Sequence, residues 1–89
     1  MLSLIKKSLR VSTSEYDDEI TALIAECKKD LQISGVYFVN EDELIKRAIR
    51  VYCSAHFGEP TNQSELLEIY NKVKADLMMN IEYKVDYEN

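Results

Sequence analysis

NEDELIKRAIRVYCSAHFG, residues 40–58, is the stretch on which the reading of this chain turns. Leu44, Ile45, Ala48, Ile49, Tyr52, Cys53, Ala55 and His56 recur at intervals of three and four, the rhythm of one helix face. Lys46, Arg47 and Arg50 fall on the opposite side. Asn40-Glu41-Asp42-Glu43 opens the segment like a capping box, with an acid three residues after the cap. Gly58 closes it and Pro60 prevents continuation. The apolar stripe is broad enough to touch two neighbours, so the spacing predicts a central helix. The same stretch holds a cysteine and the single histidine three residues apart. It must be a metal corner, a thiol–imidazole pair, or a packed helix face.

Working outward, two glycines and one proline make punctuation rare, and Gly35 and Gly58 divide the chain into three helical patterns. The pattern over residues 14–33 takes Ser14 or Asp17 as its cap and carries Ile20, Leu23, Ile24, Cys27 and Leu31 on its inner face. Lys28 and Lys29 sit toward its C-terminal end, with Gly35 as a left-handed cap. The third pattern opens at Asn62, has Glu65 three residues on, and runs to Met79 with Leu66, Ile69, Tyr70, Val73 and Leu77 inward. A short helix over residues 2–9 is expected to pack across these three. The fold class is therefore all-α: a small bundle of three main helices plus a short N-terminal helix, with an extended C-terminal tail.

Two segments do not fit a bundle. Val36-Tyr37-Phe38-Val39 is too short and too β-branched for a helix. Residues 81–87 alternate apolar and charged side chains, the periodicity of a strand. A lone strand has unpaired edges, so residues 81–89 are expected either to fray or to pair with another chain.

Eighty-nine residues accommodate one small domain and no second core. A chain of this length buries only about 60–65% of its unfolded surface, so metals, disulfides or oligomerisation often add stability. Two cysteines are too few for a disulfide scaffold, and the start of the chain lacks the apolar run of a secretory signal or membrane span. The expectation is a reducing cytoplasm with both thiols free and no membrane association.

The formal charge of −5 argues against general affinity for nucleic acid, which needs clustered Lys and Arg. Lys46, Arg47 and Arg50 are read as a solvated face rather than a recognition helix. Charge is also uneven along the chain. Lys6, Lys7 and Arg10 make the start basic, and Glu15, Asp17, Asp18 and Glu19 follow at once. Either the acids complement a helix N-terminus, or the basic and acidic patches of adjacent subunits attract each other. Both readings stand.

No chemistry-bearing constellation reaches a complete set. Zinc takes four ligands, commonly in paired knuckles, and the chain holds three Cys and His residues in all. Cys53 and Cys27 occupy apolar-stripe positions, where a free thiol behaves as a small hydrophobe. His56 is read with them as a packing residue. A catalytic thiol would need exposure, activation and a third group to orient the imidazole. The acid clusters fall in first helical turns, where capping accounts for them. Two isolated glycines build no phosphate loop. No catalytic, cofactor-binding or metal-binding residue is therefore assigned. Six tyrosines and no tryptophan leave an amphipathic aromatic surplus, and Tyr16, Tyr37, Tyr83 and Tyr87 lie off the core stripes, as at protein interfaces.

In order and spacing, several blocks resemble a known family. They are Leu2-Ser-Leu-Ile-Lys-Lys-Ser-Leu-Arg-Val, Asp17-Asp18-Glu19-Ile20 with Leu23-Ile24, Cys27-Lys28-Lys29-Asp30-Leu31 and Ser34-Gly35-Val36. The strongest is Asp42-Glu43-Leu44-Ile45-Lys46-Arg47-Ala48-Ile49 running into Val51-Tyr52-Cys53 and His56-Phe57-Gly58. Tyr70 and Lys74-Ala75-Asp76-Leu77 follow it. The chain is similar to the phage head-tail connector proteins, also labelled DNA-packaging proteins or head-completion adaptors. That resemblance implies a non-enzymatic virion protein at the head–tail junction, present in the host cytoplasm during assembly. Its partners would be itself, in a closed ring of about twelve subunits, the portal protein, and the next head–tail joining or tail protein. DNA would pass through the channel without specific binding. Lys6, Lys7, Arg10, Asp17, Asp18, Tyr37, Phe38, Tyr83 and Tyr87 become the candidate subunit or portal contacts. The other reading is a small helical adaptor or regulator unrelated to a virion. A DNA-binding regulator ranks last.

Overall fold

In a computed structural model of the chain, residues 1–80 and Tyr83 are described. Among them are four helices and no strand: α1 (Leu2–Leu9), α2 (Asp17–Ile33), α3 (Glu43–His56) and α4 (Gln63–Met79). The central position of α3 follows from its broad stripe. It packs against α4, α2 and α1. α1 lies chiefly on α2 and α3 rather than across all three main helices.

Each helix boundary has a local cause. α2 begins at Asp17, later than residue 14, because residues 14–17 form a turn in which the Asp17 amide bonds the Ser14 carbonyl oxygen at 3.2 Å. Neither Ser14 nor Asp17 caps it. Tyr16 holds the cap position without a side-chain bond, while Asp17, Asp18 and Glu19 fill the first turn. α3 is capped by Asp42 rather than Asn40: its Oδ1 accepts the Ile45 amide at 3.0 Å. A carboxylate is the stronger acceptor at a helix N-terminus, which selects Asp42 over the nearby amide. α4 starts one residue after Asn62, whose side chain makes no cap bond.

The end of α2 is a Schellman motif. The Val36 amide reaches back to the Leu31 carbonyl oxygen at 2.8 Å and the Gly35 amide to that of Gln32 at 3.0 Å. Gly35 sits at φ 94° and could carry a Cβ without collision, so the backbone alone demands glycine. α1 ends in the same pattern, with Val11 bonding Lys6 and Arg10 bonding Lys7. There a non-glycine residue, Arg10, takes the left-handed conformation at φ 60°.

One apolar cluster joins all four helices. It contains Ile5, Ile20, Leu23, Ile24, Cys27, Leu31, Val36, Ile45, Ala48, Ile49, Cys53, Tyr70, Val73, Leu77 and Tyr83. Two residues assigned inward by periodicity are corrections: Leu44 is 44% exposed and Ile69 is 40% exposed. Both lie at the outer edge of the α3–α4 seam, where no third helix covers them. Tyr52 and Leu66 are half-buried.

Candidate functional site

The Cys–His corner resolves first. Cys53 is fully buried, whereas His56 is exposed, contrary to its reading as a packing residue. α3 turns His56 outward one turn after Tyr52, and the two rings lie 4.3 Å apart. Cys27 is buried with its Sγ 3.9 Å from the Ala48 carbonyl oxygen and 3.8 Å from the Tyr70 hydroxyl. Burial pushes both thiols up to about 12, so they are held protonated and apolar rather than as thiolates. Among the described residues, no three His, Cys, Asp or Glu side chains converge as a metal site would require. None of the described helices is long and apolar enough to cross a membrane.

Cys27 borders a polar chain that the sequence stripes do not reveal. The Tyr70 hydroxyl donates to Asp30 Oδ2 at 2.6 Å, and the Lys74 ammonium meets the same oxygen at 3.1 Å. Lys74 also stands 5.3 Å from the centre of the Tyr70 ring. Burial pushes the Asp30 carboxyl up, but the Tyr70 and Lys74 hydrogen bonds and the Lys74 charge outweigh it and hold it below the usual carboxylate value. Burial, with the bond to Asp30, raises Tyr70 well above an ordinary phenol. Tyr52 beside it is pushed up to about 12 by burial and by Glu26, which accepts its hydroxyl at 3.3 Å. This cluster ties α4 to α2. The available signal was a tyrosine on a core stripe, since a buried phenol requires a partner.

The charged candidates separate into used and free groups. Lys6 Nζ meets Asp17 Oδ1 at 2.8 Å within one chain, fastening α1 to the start of α2. Within one chain, then, these two residues are already partnered with each other. Lys7, Arg10, Asp18 and Glu19 are exposed and take part in no described ion pair. The acidic patch is thus shortened by one residue and remains available.

The end of α2 and the α2–α3 connection present exposed apolar side chains, as do Met78 and Met79 at the end of α4. Val39 is 97% exposed and Ile33, in the last turn of α2, is 75% exposed. Tyr37 and Phe38 between them are half-buried, and Phe38 packs against the core. Lys28 and Glu41 pair across the connection at 2.5 Å.

Tyr83 is a correction. Off the core stripes and read as an interface residue, it is 5% exposed. Its amide bonds the Asn80 carbonyl oxygen at 3.1 Å, a turn contact, and its carbonyl oxygen accepts the Tyr37 amide at 2.6 Å. Its hydroxyl donates to Asp42 Oδ2. Residues 81–82 and 84–89, including Tyr87 and the rest of the expected strand, lie outside the described residues.

A shallow groove of about 300 Å³ runs between α3 and α4, lined by Leu44, Ile69, Val73 and Leu77 with Arg47, Lys72 and Asp76 at its rim. Compared with known proteins, the chain matches the profile of a family described as phage connector protein over residues 1–88. Neither a curated protein nor a solved structure matches it.

Proposed function

The chain belongs to the phage connector protein family, and from that premise we propose that it forms a closed ring at the portal vertex, joining head to tail. In this reading the ring extends the DNA channel after packaging and the protein is a virion component without turnover. The observation that carries the reading is the extent of the family match, residues 1–88, which takes in all four helices and the three connections between them.

The surface supports this use. A protomer whose only task is to be joined needs accessible apolar ground, and Val39 and Ile33 supply it at one end. The last turn of α2 and the connection after it, which carry these two residues, are the contact proposed for the portal or the next joining protein. Tyr37 and Phe38 contribute less surface there than the sequence suggests, and Tyr83 acts from behind by holding the connection in place. The formal charge of −5 suits a channel wall that repels phosphate and lets DNA slide without binding.

Native mass spectrometry of the full chain, alone and with the portal protein of the same phage, tests the reading. A large closed oligomer, or a ring formed on the portal, is expected. A monomer or dimer indifferent to the portal would overturn it and favour an adaptor unrelated to a virion.

A further inference from the structure

Arg47 and Lys72 flank the α3–α4 groove, and neither enters a described ion pair, in a chain that is acidic overall. One acid, Asp76, shares the rim. The floor is apolar and open, with Leu44 and Ile69 each about two-fifths exposed. A groove of this kind fits an acidic segment that carries one large apolar anchor.

The same chain displays such a segment elsewhere. Tyr16 is 41% exposed at the head of α2, and Glu15, Asp18 and Glu19 around it are exposed and unpaired among the described residues. Tyr16 stacks edge-on against Phe57 at 5.5 Å, just beyond the C-terminal end of α3. Leu44 lies at the opposite end of that helix. Thirteen residues of helical rise separate the two places by about 20 Å, so one protomer's corner does not reach its own groove.

We propose that the α3–α4 groove receives the Tyr16 corner of a second copy. Tyr16 packs on Leu44 and Ile69, while Asp18 and Glu19 meet Arg47 and Lys72. Because groove and corner are different surfaces at opposite ends, the contact is head-to-tail. Repetition of such a contact yields a ring where the rotation closes. This deepens the connector reading and rests on it for the expectation that copies stand side by side.

The test is charge exchange in the full chain, followed by sedimentation at low salt across concentration. R47E/K72E and D18K/E19K alter exposed residues, and circular dichroism checks that each remains folded. Wild-type chain is expected to self-associate, and each variant alone to associate about tenfold more weakly or less. An equimolar mixture of the two should recover association, and adding Tyr16→Ala to both should remove it again. Variants that associate like wild type, a mixture that fails to recover, or wild-type chain that stays monomeric at about 1 mM would overturn the proposal. Portal binding separates the two failures. A chain that binds portal while ignoring these charges keeps the connector reading and loses this contact. A chain that associates through them but ignores the portal does the reverse.

Discussion

The Tyr83 hydroxyl donates to one oxygen of the Asp42 carboxylate while the other oxygen caps α3 through the Ile45 amide. One side chain therefore fixes both the start of the central helix and the return of the chain after α4. The Tyr83 carbonyl oxygen also takes the Tyr37 amide, so the α2–α3 connection hangs from the same residue.

Tyr83→Phe removes one charge-assisted bond and leaves the ring in the core. The expected cost is about 1–2 kcal/mol in urea unfolding, accompanied by faster amide exchange at Tyr37 and Ile45. The pH dependence has a definite sign. The Tyr83 hydroxyl first, and the Ile45 amide second, hold Asp42 below the ordinary 3.8 of its carboxyl. A lowered native value means this contribution is complete above about pH 4 and is lost as pH falls through the native value. Wild-type stability should thus decline in acid, and Tyr83→Phe should decline less over the same interval. Equal acid slopes in the two proteins would remove this bond from the account.

The Asp30–Tyr70–Lys74 cluster is the second latch, and a double-mutant cycle isolates it. Tyr70→Phe leaves Asp30 with Lys74 alone, at a cost of about 1–3 kcal/mol. Combined with Asp30→Ala, which removes the acceptor, the two effects should fall short of their sum by at least about 0.5 kcal/mol, because both delete the same bond. Strict additivity would mean that the 2.6 Å contact carries no stability.

Both thiols should behave as core atoms. At pH 8 a water-soluble disulfide reagent should modify neither Cys27 nor Cys53 until the chain unfolds. Burial raises both from 9.0 to about 12, so the stability linked to them is intact below pH 9 and drains away as pH rises from there toward 12. Cys53→Ala should cost about 1 kcal/mol through lost packing, while His56→Gln, on the exposed side, should stay within about 0.5 kcal/mol. Stoichiometric zinc in the purified protein would contradict this picture directly.

Periodicity located α3 and its central role because a face that alternates by three and four has one geometric solution. It misjudged Leu44, Ile69 and His56 for a single reason. A stripe states which residues share a face, and the neighbours decide how far round that face is covered. The Asp42 cap lies inside the stretch that reads as a capping box, three positions from the Ile45 amide it accepts, whereas the Tyr83 strap was out of reach because it joins residues 41 positions apart, a distance over which local pattern carries no information. The Lys6–Asp17 pair was visible as two adjacent patches of opposite charge, but whether they met within or between chains depended on the turn at residues 14–17. Of the surfaces available for joining, the exposed Val39 stood out as an apolar misfit in the sequence. The α3–α4 groove could be seen only once two helices had been placed side by side.

Replacing Ile33 and Val39 together by serine tests that misfit against the proposed function. The two are 75% and 97% exposed, so little packing is lost and thermal unfolding should shift by no more than about 0.5 kcal/mol equivalent. If the α2–α3 connection seats on the portal or on the next joining protein, apolar contact there is the driving force, and losing two anchors should weaken capture by tenfold or more, as anchor residues do at other interfaces. The readout is capture of the full chain by purified portal, compared with capture of R47E/K72E. The serine variant should self-associate normally and fail on the partner, and the groove variant should show the opposite defect. Should the serine variant bind the portal as wild type does, the connection is not the portal contact.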